Sequence, residues 1–379
     1  MNILDQEVIL ELFRENYELF VLLVFSLTFS LTFYLIPKVL WVSKEKNLMA
    51  GVNERSSHSV AVPNFGGVAF YITIVLVLSV LQSMRLTYVG NHLIAAITVL
   101  FMVGLKDDLV ISTARVKLFG QITAALFLIF SPELQLNNLH GFLGFSEIPE
   151  IAGYFLKGFI VVALINSFNL IDGIDGLAAI VGIVISVAYT AIFYVTGQPY
   201  FVLVSISLAG TLGAFLRFNF SRGKRKIFMG DSGSLIVGLV LAFLSLKFLA
   251  MEPIVPLKSL GYSPANRLLF LACILFLPVF DTLRVIIIRK MNGLSAFSPD
   301  RNHVHHVLID LGLSHKKASF SLGLLNLVII GVYYSLSNIL SHAWLLFLVV
   351  LLYSVVFALF GWLKVLGSKS AKESIVGSR

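Results

Sequence analysis

Uninterrupted apolar runs of about 20 residues recur along the whole chain, and no other feature constrains its fold as tightly. As a helix, such a run matches the hydrocarbon thickness of a bilayer and satisfies its own backbone there. The runs do not alternate in polarity over segments of about 10 residues, which sets a membrane β-barrel aside. With 58% hydrophobic and only 13% charged residues among 379, the chain reads as an all-α polytopic membrane protein. The polar interruptions predict eleven spans, at about 18–42, 65–83, 91–107, 117–131, 152–171, 176–196, 199–218, 232–250, 266–289, 318–338 and 342–365. The run at 117–131 is short for a span. No internal repeat is visible, and the whole of 1–379 is expected to form one integral-membrane domain.

An odd number of spans puts the termini on opposite sides, and the basic residues decide which side is cytoplasmic. With the C-terminus inside and the N-terminus outside, 22 of the 28 Lys and Arg residues fall in the inner connections and the tail. Eight of the eleven glutamates then lie outside, whereas eight of the nine aspartates lie inside. The short carboxylates thus gather on the cytoplasmic boundary, in connections at about 43–64, 106–117, 166–176, 217–231 and 284–317. Acidic residues Asp5, Glu7, Glu11 and Glu15 precede the first apolar run, where a secretory leader would carry positive charge, so no cleavage is expected. The single cysteine, Cys273, excludes a disulfide framework and a thiolate zinc site.

Four polar clusters interrupt this apolar pattern. Asp107 and Asp108 close the third span, where acids oppose the helix macrodipole; a solvated helix end is the plain reading, and a pair facing a metal or phosphate, with Lys117 and Gln121 opposite, the functional one. Asn166 and Asn169 share a helical face inside the membrane, where carboxamides need partners or a cavity. Asp172-Gly173 and Asp175-Gly176 read as a turn, with Asp175 able to cap the next helix. Asp231, in Phe228-Met-Gly-Asp-Ser-Gly-Ser234, is an N-cap candidate; the same geometry offers a carboxylate to a hard cation and backbone N–H groups to a phosphate. In Ser295 to His306, His303 and His306 are expected on one helical face with His305 turned away, and Arg301 beside them. Three close histidines can bind zinc, but donors for a pyrophosphate suit this spacing better. Arg55 and His58 are candidates for the same polar face.

Oxygen ligands without thiolates select Mg2+ or Mn2+, and the surrounding bases select phosphates. Phosphoryl transfer needs positioning and charge neutralisation more than a covalent nucleophile, so this set of groups suffices for it. The segments Gly104-Leu-Lys-Asp-Asp108, Asn166 to Leu177, Phe228 to Ser234 and Ser298-Pro-Asp-Arg-Asn-His-Val-His-His306 resemble, in order, the motifs of the polyprenyl-phosphate N-acetylhexosamine-1-phosphate transferases, the glycosyltransferase 4 type.

That resemblance implies a bacterial inner-membrane enzyme with its active site on the cytoplasmic face. In such an enzyme undecaprenyl phosphate attacks a UDP-N-acetylhexosamine, with Mg2+ required and UMP released. It implies Asp231 as the leading Mg2+ ligand with Asn169 as a second. Asp107 and Asp108 would act on the lipid phosphate with Lys117 nearby, Asp172 and Asp175 would support the nucleotide and metal, and Arg301, His303, His305 and His306 would hold the pyrophosphate. The histidine segment is similar to the branch that uses UDP-N-acetylglucosamine to initiate O-antigen, common-antigen or teichoic-acid synthesis. Another UDP-N-acetylhexosamine or UDP-MurNAc-pentapeptide is the alternative donor. Gly51-Val-Asn-Glu-Arg55 departs from the family pattern, in which an Asp and a Pro often precede the Arg. The bilayer is the expected partner, a homodimer is compatible with such a chain, and no nucleic acid is expected. The rival from another class is an ion-coupled secondary transporter, whose site should lie near the bilayer midplane rather than at one boundary.

Overall fold

A computed structural model describes residues 13, 15–48, 62–84, 86–110, 112–251, 263–295 and 301–376, with side chains as far as 367. The helices in chain order are α1 (Tyr17–Glu45), α2 (Gly66–Ser83), α3 (Val89–Leu109), α4 (Ala114–Ile129), α5 (Glu150–Ile171), α6 (Leu177–Val195), α7 (Pro199–Asn219), α8 (Gly230–Ala250), α9 (Arg267–Ile274), α10 (Phe276–Met291), α11 (Val304–Asp310), α12 (His315–Ser337) and α13 (His342–Val376). A small antiparallel hairpin, β1 (Asn138–Phe142) with β2 (Phe145–Glu147), joins α4 to α5.

Among the described residues, nine helices are long and apolar enough to cross a membrane, and a bent pair makes a tenth. All eleven predicted segments are helical, but two differ from plain spans. α4 has 16 residues, a rise of about 24 Å, short of a hydrocarbon core of about 30 Å. The predicted span 266–289 is broken into α9 and α10, which meet at 74°. Pro278 explains the break, because its ring lacks an N–H and crowds the carbonyl four residues back, at Ile274. The backbone groups freed there are bonded by one side chain: Asn326 of α12 accepts from Leu277 N at 2.8 Å and donates to Ile274 O at 3.1 Å. Hydropathy sees neither the bend nor its partner.

α8 is the axis of the bundle. Between its first turn and Ser245 and Lys247 near its end, its sequence is apolar on every side, which is the pattern of a helix enclosed by protein. α2, α3 and α5 pack around it, and glycine permits the closest approaches. A Cβ on Gly104 of α3 would lie 2.5 Å from Ser232 Cα, and one on Gly67 of α2 would lie 2.2 Å from Gly233 N. The entry to α8 is also tied to α2 through the backbone, with Gly66 N donating to Phe228 O, Gly67 N to Met229 O, and Phe228 N to Pro63 O. The C-terminal ends of α3 and α5 and the N-terminal ends of α4, α6 and α8 therefore converge at one end of the bundle, away from the hairpin.

These contacts predict that Gly104→Ala lowers the thermal midpoint of the detergent-purified protein, by the equivalent of about 1–3 kcal/mol for an overpacked helix contact. Gly331→Ala, where a new Cβ meets nothing within 4 Å, should leave the midpoint unchanged in the same fluorescence melt.

Candidate active site

α8 begins without a side-chain cap of its own. Its exposed N–H groups are met instead by a carboxylate from α3: Asp108 accepts from Asp231 N at 2.8 Å, Ser232 N at 3.0 Å and Ser232 Oγ at 2.5 Å. Asn64 Nδ2 adds a further donor at 3.1 Å. Gly230 makes the fit possible. It holds φ at +73°, and a Cβ there would fall 1.9 Å from Asn64 O and 2.8 Å from either Asp108 oxygen.

With α8 held this way, the side chain of Asp231 faces its neighbours instead of capping its own helix. Lys117 of α4 forms ion pairs with Asp231 and, at 2.7 Å, with Asp107. Asn169 of α5 donates to Asp231 Oδ1 at 3.0 Å and to Ser234 Oγ at 2.7 Å. Asp107 also accepts from Ser112 N at 2.6 Å, which fixes the turn into α4. Gln121, expected opposite the aspartate pair, instead exchanges two amide hydrogen bonds with Asn166, of 3.1 and 2.7 Å.

The turn between α5 and α6 adds two more carboxylates. Asp175 does not cap α6; it pairs with Lys226 at 2.6 Å and His315 at 3.2 Å, while Gly176, at φ +81°, occupies the cap position. Asn219 receives Gly176 N at 2.6 Å and donates to Ile227 O, so it ties this turn to the strand of chain entering α8. Burial first, then the charges of Asp231, Asp108 and Asp175, push the Asp172 carboxyl up to about 7.

The histidine segment departs from the helical reading. α11 starts only at Val304, so His303 precedes the helix, and His305 is not turned away but is 2% exposed. Its ring occupies the space that a side chain at Gly173 would take, with Nε2 2.2 Å from the position of a Cβ. Burial, reinforced by the neighbouring His306, lowers the His305 pKa to about 3, so this ring is neutral. Burial and then the Arg301 charge lower that of His306. Arg301 itself is exposed and paired with Asp310 at 3.1 Å. Two α10 residues absent from the sequence-based site hold this segment: Asp281 accepts from His303 Nδ1 at 2.8 Å and Val304 N at 2.9 Å, and Arg284 donates to Asn302 O. The signal for them was present, since an acid and a base inside an apolar helix need partners. Arg55 and His58 lie outside the described residues.

Two openings meet in this region. A cavity of about 480 Å³ is lined by Asp107, Asp108, Asp172, Asp175, Asp231 and His306, among others. A groove of about 940 Å³, mostly apolar, runs between α5 and the bent α9–α10 pair, and Asn169 lines both. The donor chemistry of the cavity fits a hard divalent cation, being carboxylate and carboxamide oxygen without thiolate. Lys117, bridging Asp107 and Asp231, marks where positive charge is accommodated. Among the described residues no three acidic, histidine or cysteine side chains converge as a ready-made ion site.

Residues 91–249, from α3 to α8, match the model of glycosyl transferase family 4. The decaprenyl-phosphate N-acetylglucosaminephosphotransferase of Mycobacterium leprae is 34% identical over 287 residues, 70% of each chain. The probable undecaprenyl-phosphate N-acetylglucosaminyl 1-phosphate transferase of Bacillus subtilis is 32% identical over 301 residues, 76% of this chain and 75% of its own. The undecaprenyl-phosphate alpha-N-acetylglucosaminyl 1-phosphate transferase of Escherichia coli K12 is 28% identical over 280 residues, 73% of each.

The raised pKa of Asp172 has a measurable sign. The folded chain binds the proton more tightly than the unfolded one, so this group's stabilisation is full below the ordinary carboxylate pKa near 3.8 and is lost as pH rises through about 7. Asp172→Asn removes that loss. Its melting temperature relative to the unmutated protein should therefore climb between pH 4 and 7 and level off above, and a difference that is flat with pH would contradict the assignment.

Proposed function

The chain is a phosphotransferase of glycosyl transferase family 4, and on that premise we propose that it transfers N-acetylglucosamine 1-phosphate from UDP-N-acetylglucosamine to undecaprenyl phosphate. The products are undecaprenyl-diphospho-N-acetylglucosamine and UMP, and the step initiates synthesis of a cell-envelope polysaccharide such as an O-antigen. The observation that carries this reading is the junction at Asn169, where an apolar groove open to a lipid tail meets an acidic cavity suited to a charged, metal-bound nucleotide. The relatives, each named as a transferase acting on a polyprenyl phosphate, support the acceptor class. The concentration of Lys and Arg in the connections on the site's side supports the cytoplasmic face of the inner membrane.

In this reaction an oxygen of the lipid phosphate attacks the β-phosphorus of the donor; a new P–O bond forms and the bond to UMP breaks. A lipid phosphate monoester, with a second pKa of about 6, is largely ionised at neutral pH, so no strong general base is required. Asp231 and Asn169 would hold Mg2+, which when bound neutralises charge on the donor phosphates. Lys117 pairs with both Asp107 and Asp231, and its ammonium is the donor beside them for a phosphate oxygen of the substrate. Asp108 acts through α8, keeping Asp231 in position. Asp172 and Asp175 border the nucleotide end of the cavity, and His306 faces it from α11.

Purified protein given undecaprenyl phosphate, Mg2+ and a panel of UDP-sugars should release UMP with UDP-N-acetylglucosamine and not without the lipid. Release only with another UDP-N-acetylhexosamine or with UDP-MurNAc-pentapeptide would reassign the donor, and no release from any donor by folded protein would sink the reading. Asp231→Asn should reduce UMP release by at least about a hundredfold, as loss of a key charge-stabilising group does, while the protein stays inserted and melts cooperatively.

A further inference from the structure

The histidine segment is divided between the two openings. His306 lines the acidic cavity, but His303 lines the apolar groove, where the other polar groups are Asn166, Ser167, Asn169, Thr282 and Arg289. The ring of His305 intervenes, 5.6 Å from that of His303 and 4.3 Å from that of His306. A residue that recognised only the donor has no physical reason to face a greasy groove, whereas the charged head of a lipid has to be met where the groove ends.

His303 is also held more firmly than a surface imidazole needs to be. Asp281 is fully buried and spends one oxygen on His303 Nδ1 and the other on Val304 N. One turn further along α10, Arg284 grips Asn302 O, and Lys364 of α13 bonds the Asn302 side chain. The backbone on both sides of His303 is thereby fixed. Because a carboxylate accepts, Nδ1 carries the proton, and Nε2 on the opposite ring edge is the atom offered to a ligand.

We propose that His303, oriented by the positioning residue Asp281, binds the phosphate monoester of the lipid acceptor at the head of the apolar groove rather than the pyrophosphate of the donor. This rests on the transferase reading above. The contact holds in either protonation state: Nε2 accepts from a P–O–H group, or its N–H donates to a P–O⁻ oxygen.

The test is steady-state kinetics on the full chain in lipid nanodiscs, with undecaprenyl phosphate and UDP-N-acetylglucosamine varied separately. His303→Asn keeps an amide against Asp281 and removes only the Nε2 edge. It should raise KM for the lipid by about tenfold or more, as loss of a hydrogen bond to a charged group does, and leave KM for the donor unchanged. His306→Asn should show the reverse split. Asp281→Asn should reproduce the His303→Asn pattern, and the double variant should be no worse than either single one. If His303→Asn moves the donor KM alone, or if the two effects multiply, the assignment is overturned. Should Asp281→Asn misfold, the 15N spectrum of histidine-labelled unmutated protein decides its role: a His303 ring protonated on Nδ1 upholds the positioning by Asp281, and one protonated only on Nε2 removes it. Wild-type protein that releases no UMP defeats the transferase reading and this proposal together; wild-type turnover with the wrong KM split defeats this proposal alone.

Discussion

The carboxylate of Asp108 at the start of α8 is the contact on which the site depends. From the sequence it is badly placed, a second acid at the C-terminal end of α3, where the helix macrodipole already concentrates negative charge. The structure resolves the conflict by giving it another helix's N-terminus. The backbone N–H groups of Asp231 and Ser232 point at it, so what is unfavourable to α3 is favourable to α8. Because Asp108 replaces a local cap, the side chain of Asp231 is left for Lys117 and Asn169. The close glycines at 67, 104 and 230 serve the same end, since a bulkier residue at any of them would push α8 away from the carboxylate.

Much of this was legible in the sequence, for reasons that differ by level. Apolar length located all eleven helical segments, because the bilayer demands about 20 residues of each. The same measure cannot register a kink, so the α9–α10 break passed unseen even though Pro278 was in plain view; a proline in a membrane helix is tolerated when something re-satisfies the backbone, and the partner, Asn326, is remote in sequence. In the site, the local clusters around residues 107, 169, 172 and 231 do come together. Their pairings were opaque, because Gln121 with Asn166, Lys226 with Asp175 and Asp108 with Ser232 each join segments far apart along the chain.

The histidine segment shows the limit of periodicity. Counting positions on a helix from His303 turns His305 outward. The helix starts one residue later, and the deciding neighbour is Gly173, whose missing side chain leaves room for the ring. A glycine read from sequence as a turn former is equally a socket. It couples the turn after α5 to α11, and through His303 to the buried Asp281 on α10, so three sequence-distant segments share one set of contacts.

The break between α9 and α10 is written twice in the chain, once as Pro278 and once as Asn326, and this makes it resistant to drift. Replacing the proline alone would leave a carboxamide buried among apolar helices with its bonds contested by a straightening backbone; replacing the asparagine alone would leave Leu277 N and Ile274 O without their partner beside a ring that still forbids a straight helix. Neither single change reaches a regular span. The wall of the groove is therefore a frozen irregularity, present before any lipid arrives, and its shape can be abandoned only by two coordinated substitutions.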